Sequence, residues 1–232
     1  MVDTPHQKRL GIKDSVPLAM SDWNSCAEFG DGKDFELPKK WAEMYVNRSL
    51  EDIYYFFKKR SVSFFPVVHW VERGLFKPGN SVPRFHMVWG PGKGLIDSLV
   101  MHLLSHKNIS KLNLIFDHRV TQILSDKKRI SGCVAKEEKT GSVTEISADH
   151  VVIASGGIAG DLKRVRKLWN KSLGAPPEII LNGSHHYALG DMHDAVQKMN
   201  GKLVHQEKMW NYAAGVHHPA GDKDFHGLSL VP

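Results

Sequence analysis

Between residues 112 and 157 apolar runs alternate with short polar turns, and the last run ends on glycine. The first, LNLIFDHRVTQILSD, gives way to the turn Asp126-Lys127-Lys128-Arg129. Residues 130–137 make a second run, and Lys139-Thr140-Gly141-Ser142 a second turn. Residues 143–154 return and stop at Ser155-Gly156-Gly157, with Gly160 close behind. Runs of this kind, punctuated by turn residues, predict antiparallel strands joined in sequence order. The region is therefore predicted to be a β-meander whose last strand, Val151-Val152-Ile153-Ala154, is buried. Glycine has no Cβ, so it permits positive φ and lets another group approach the main chain. A strand running into a glycine turn is how open α/β sheets bring backbone N–H groups up to a nucleotide. The same residues also read as an ordinary strand followed by a flexible turn.

The flanking segments are mostly helical in pattern. In residues 15–29, Leu18, Ala19, Trp23, Cys26 and Ala27 lie near helical spacing, with Ser15 as N-cap and Pro17 just inside. Residues 39–60 read as one long amphipathic helix, its aromatic residues serving as packing groups. VSFFPVVHWV, at 62–71, is strand-like, but Pro66 restricts it to an edge or an irregular segment. Residues 74–94 form a long glycine-rich loop carrying Arg84, His86 and Trp89. A loop of that length is usually functional or disordered, and its aromatics argue against disorder. A helix follows from Leu95 to His106, and another from Asp161 to Trp169. After the linker Ala175-Pro176-Pro177, Met192, Ala195, Val196 and Met199 define a further helix with Asp191 as N-cap. The positive end of that helix can face an anion or a polarised carbonyl.

Composition excludes several classes. The chain has 232 residues, 41% hydrophobic and 24% charged, which is ordinary for a globular protein and allows one large or two small domains. No apolar run approaches the ~20 residues of a spanning helix. The polar start MVDTPHQKRLGIKDS has no signal-like apolar region, so a cytoplasmic protein is expected. Cys26 and Cys133 are far apart and form no CxxC pattern. His185-His186 and His217-His218 are adjacent pairs whose side chains diverge on a strand, so no metal site is expected. The net charge of +6 is spread along the chain and comes with no nucleic-acid motif, so no nucleic-acid partner is expected.

Taken in order, a meander into VVIASGG, a linker, GDMHDAVQKMNGKLV and then WNYAAGVHHP resemble the FAD-dependent family of fumarate reductases, succinate dehydrogenase flavoproteins and 3-ketosteroid dehydrogenases. DSVPLAMSDW, WAEMYV, FFPVVHWVERG and GNSVPRFHMVWGPGKGL look like their counterparts in the ketosteroid-dehydrogenase-like branch. The resemblance implies an α/β fold with mixed α+β character: a partial FAD-binding, Rossmann-like domain over residues 1–174 and the start of a cap or substrate domain over 175–232. It implies FAD as cofactor and redox chemistry on a C–C bond. Carried over by residue, Ala154, Ser155, Gly156 and Gly157 would lie against the flavin nucleotide. Val120 would face the adenine through its backbone, and Gly190 and Asp191 would start a helix near the flavin ring. Met192 stands where the family pattern GDG has its second glycine. Arg84 or His86 would bind an oxyanion on the substrate side, or anchor the loop. Tyr187, Tyr212, His217 and His218 are candidate acid–base groups, each also readable as structural.

The family opens with a strand and GxGxxG, and this chain contains no GxGxxG. The expectation is therefore an internal fragment of a flavin-dependent dehydrogenase, inactive alone and missing a complementary polypeptide half. Its substrate would be a small molecule, steroid-like or with another activated C–C bond. The alternative is a non-enzymatic remnant or partner-binding fragment without cofactor.

Overall fold

The computed structural model describes residues 1–65, 79–127, 129–211, 215–217 and 227–229. These pack as two compact units, Met1–Asn113 and Leu114–Pro232.

Unit 1 is helical. Helix α1 (Pro5–Arg9) is opened by a capping box: Gln7 N donates to Thr4 Oγ1, and Thr4 N donates to Gln7 Oε1 at 2.8 Å. Helix α2 (Val16–Ala27) begins as expected, with Ser15 Oγ accepting from Leu18 N. The expected helix at 39–60 comes in three parts. Helix α3 (Glu36–Arg48) passes through a wider π turn at Ser49–Tyr55 into α4 (Phe56–Lys58). The wider turn lies where Ser49 is fully buried and its Oγ accepts from Val2 N at 3.2 Å. Val2, Ala19 and Val46 form the core cluster, with Val16 and Met20 against it.

Most of the stretch at 62–71 and the first part of the 74–94 loop lie outside the described residues. What is described pairs antiparallel: Phe65 N donates to Met87 O, and Trp89 N to Ser63 O, both at 2.8 Å. Helix α5 (Pro91–Leu104) starts earlier than expected, because Gly90 takes a left-handed N-cap conformation and Pro91 suits the first helical position.

Unit 2 contains the meander. Strands β1 (His118–Asp126), β2 (Arg129–Glu137) and β3 (Val143–Ser147) form one antiparallel sheet in sequence order. Val120 pairs with Ala135, and Cys133 with Ile146. Helix α6 (Leu162–Lys167) is capped by Asp161, which accepts from Lys163 N and Arg164 N. Helix α7 (Asp191–Lys198) packs on β1 and buries Met192 and Ala195. Strands β4 (Gly215–His217) and β5 (Gly227–Ser229) pair antiparallel in a separate two-stranded sheet.

The buried strand expected at Val151–Ala154 does not form. The third strand stops at Ser147, and Val152 is 89% exposed. An apolar run becomes a strand only when a neighbour takes up its N–H and C=O groups, and none does so here among the described residues. No described helix is long and apolar enough to cross a membrane.

Candidate functional site

The expected cofactor-side residues all lie in unit 2, and the structure joins three of the segments that carry them. Val120 is half-buried on β1. Beside it, Arg119 Nε donates to Asp191 Oδ2 at 2.7 Å, tying the strand to the start of α7. Arg164, on α6, makes a two-pronged contact with Asp194: Nη2 to Oδ1 at 2.7 Å and Nη1 to Oδ2 at 3.0 Å. These contacts hold the first turn of α7 from two sides.

The N-cap of α7 is Gly190, not Asp191. Gly190 has φ of +82°, which favours glycine, and a Cβ there would meet Ile158 Cγ2 at 2.7 Å and Arg164 Nη1 at 2.9 Å. Asp191 is the first helical residue, and its carboxylate faces Arg119 instead of the backbone. Asp191 and Asp194 both sit in the first turn, where negative charge favours the helix dipole. The positive end of α7 is thus matched by the chain's own carboxylates. Asp194 has its pKa held below the usual carboxylate range by the Arg164 hydrogen bonds.

The glycine segment is fastened at one end and open at the other. Gly160 N donates to Ala188 O at 3.0 Å, and a Cβ at Gly160 would stand 2.8 Å from the carbonyl oxygens of both His185 and His186. Ala154, Ser155, Gly156 and Gly157 are exposed. A Cβ at Gly156 or Gly157 would meet nothing within 4 Å. The open main chain there leaves space for a group to lie close to the backbone, and FAD fits such a surface as far as these residues extend. GxGxxG and the helix that follows it, which cradle the pyrophosphate, are not in this sequence.

Arg84 and His86, expected on the substrate side, belong to unit 1. Arg84 bridges two carboxylates over long sequence distances. Its Nη2 donates to Asp14 Oδ1 at 2.7 Å and its Nη1 to Asp22 Oδ2 at 2.5 Å, with side chains 8%, 0% and 12% exposed. Burial pushes the pKa of Asp14 up, but hydrogen bonds from Arg84 and Gln7 outweigh it, and the carboxyl ends below its ordinary range. Asp22 follows the same pattern, with Ser81 adding donors. Arg84 therefore anchors the loop to α2 and the segment before it. His86 Nδ1 lies 2.8 Å from Arg84 O, and its Nε2 lies 2.7 Å from Thr4 Oγ1. A carbonyl only accepts, so Nδ1 carries the proton and Nε2 accepts from the hydroxyl. Burial lowers the pKa of His86 to about 4, so it is neutral near pH 7.

Of the acid–base candidates, Tyr187 is 58% exposed, and its ring lies tilted against that of His186 with centroids 4.0 Å apart. His217 is exposed on β4. Tyr212 and His218 lie outside the described residues. Among the described residues no three His, Cys, Asp or Glu side chains gather as a metal site. Sequence reading did not single out Asp14, Asp22, Arg119 or Arg164. Their partners stand 70, 62, 72 and 30 positions away, beyond any local spacing rule.

A family profile described as an FAD binding domain matches residues 1–231. A KsdD-like steroid dehydrogenase of Mycobacterium tuberculosis is 31% identical over 248 residues, covering 100% of this chain and 43% of that protein. A KsdD-like steroid dehydrogenase of Mycolicibacterium smegmatis is 30% identical over 247 residues, covering 100% and 44%. The chain thus spans less than half the length of these relatives. Among solved structures, the open conformation of a flavocytochrome c3 fumarate reductase superposes with a TM-score of 0.63 at 18% identity, covering 85% of this chain and 32% of that one. Mycobacterium smegmatis Sdh1 in complex with UQ1 superposes with a TM-score of 0.54 at 19% identity, covering 81% and 29%. Both share the fold.

Proposed function

The chain belongs to the FAD-binding domain family, and from that membership we propose that it is part of a flavin-dependent dehydrogenase or reductase acting on a C–C bond. FAD is the family's cofactor, and when bound it supplies the hydride acceptor or donor. The residues of this chain hold and shape that site. Ala154 to Gly157 offer bare main chain for close approach, Val120 lines the site through its backbone, and Gly190 and Asp191 start a helix fixed by Arg119 and Arg164. The observation that carries the reading is the open glycine backbone at 156–157, fastened beside the start of α7 through Gly160.

Residues 1–174 serve the cofactor and 175–232 begin a cap over the substrate. The substrate is a small molecule with an activated C–C bond, and the relatives' description as steroid dehydrogenases favours a steroid-like one. The flavin site is completed by a GxGxxG-bearing segment, which also covers residues 151–154. It acts in the cytoplasm. A second reading, a cofactor-free remnant or partner-binding fragment, draws support from the 89% exposure of Val152.

Flavin binding separates the two. The purified chain is desalted, its visible absorbance recorded, and FAD titrated while flavin fluorescence is followed. Saturable binding weakened by Gly157→Ala, with unchanged folding, supports the flavin site. Absence of binding both alone and with a GxGxxG-bearing complementary half supports the remnant.

A further inference from the structure

Helix α6 turns a face of cations to solvent. Lys163, Arg166 and Lys167 are exposed and stand at i, i+3 and i+4, so they share one side of the helix. Val165, its buried residue, lies on the opposite side. Exposed cations on other helices stand four positions from an aspartate: Arg48 with Asp52, Lys93 with Asp97 and Lys198 with Asp194. Lys163 instead has Lys167 four positions on, and like charges at that spacing repel. The run Lys58-Lys59-Arg60 in unit 1 is as basic in sequence. Its members are consecutive, so they point about 100° apart around a helical turn and build no common face.

Neighbouring charges do not cancel the surplus on α6. Arg164 is matched by Asp194. Asp161 turns its carboxylate to the backbone N–H groups of Lys163 and Arg164. Arg166 donates to the carbonyl oxygens of Pro177 at 2.8 Å and Glu178 at 2.6 Å, which hold its fork without neutralising it. With Lys171 next along the chain, and with Asp161 and Glu178 both counted, four cations stand against two carboxylates. Among the described residues, Lys163, Lys167 and Lys171 have no acidic partner.

Three features choose among anionic partners. The fork of Arg166 is occupied and lysines act as point charges, so no two-pronged seat is offered to a single phosphate or carboxylate. No large apolar residue of α6 is exposed, so the helix has nothing to bury in a lipid surface. Strongly salt-sensitive duplex binders make about 6–10 phosphate contacts, whereas this helix of six residues presents three cations. A small, charged face free of apolar groups suits a protein encounter of low area, steered by complementary charge. We propose that the outward face of α6 docks an acidic surface of another protein. The surplus exists with or without a cofactor, so the proposal does not rest on the flavin reading.

Poly-L-glutamate is the probe. Binding of the labelled polymer to the full chain is followed by fluorescence anisotropy, beside phosphatidylglycerol vesicles, a short DNA duplex and inorganic phosphate. Lys163→Glu combined with Lys167→Glu is expected to weaken polyglutamate binding about tenfold or more, and added salt to weaken binding to the unaltered chain. Lys163→Arg combined with Lys167→Arg keeps the charge and is expected to keep the binding. Lys58→Glu combined with Lys59→Glu changes the net charge equally and is expected to stay within about twofold. Circular dichroism checks that the variants fold alike. Absence of polyglutamate binding, its loss in the arginine pair, or equal weakening by the two reversals overturns the proposal. Tighter α6-dependent binding of the vesicles, the duplex or phosphate overturns it as well.

Discussion

In unit 1 the guanidinium of Arg84 is 8% exposed and lies between two carboxylates that are 0% and 12% exposed. In unit 2 the guanidinium of Arg164 meets Asp194, whose side chain is 52% exposed. Both pairs join segments far apart in sequence, but their surroundings differ. Water cannot stand in for a lost partner around Arg84, whereas around Asp194 it can. The units also treat apolar surface differently. Unit 1 gathers Val2, Ala19 and Val46 into a core, whereas unit 2 presents Val152 and the glycines after it to solvent. Unit 1 is therefore braced from within, and the glycine segment of unit 2 is open to solvent.

Removing the buried brace has the largest expected effect. Arg84→Met strands Asp14 and Asp22 and is expected to cost about 3–5 kcal/mol. Hydrogen exchange resolved by peptide would show protection lost within 1–113 and retained in β1–β3. Equal loss in both regions would break the contrast. Gly160→Ala comes next. Its Cβ would press on backbone carbonyls, which cannot move aside as a flexible side chain can, and the expected cost is about 1–3 kcal/mol by chemical denaturation. Gly157→Ala, three residues earlier, meets open space and should stay within about 0.5 kcal/mol.

The pH response sharpens the same contrast. Asp14 and Asp22 have depressed pKa values in the folded chain. A depressed carboxyl pKa adds stability above the unfolded value of about 3.9, and the gain is lost as pH falls through the folded value. Exchange protection in unit 1 should therefore fall in acid below about pH 4, and Asp14→Asn should flatten that dependence. Asp194 is depressed as well, but solvent screens it. The smallest effect is expected from Asp194→Asn, about 0.2–1 kcal/mol and shrinking with added salt.

What the sequence determined by itself was local. Ser15 as the cap of α2, Asp161 at the head of α6, the second strand of the meander and the part of the first from His118 onward follow from hydrogen bonds and periodicities that span a few residues. The order of motifs also carried the family, because order is a property of the chain alone. Tertiary structure decided the rest. Val151–Ala154 has the composition of a strand, but a strand needs a neighbour, and composition does not say whether one is present. Asp191 has the chemistry of an N-cap, yet Arg119, 72 positions away, takes its carboxylate and Gly190 turns the chain instead. Arg84 is a plausible anion ligand by type, and only the folded chain shows its charge already committed to Asp14 and Asp22. Which partner a charged side chain meets depends on loop closure across tens of residues, and no local pattern encodes that choice.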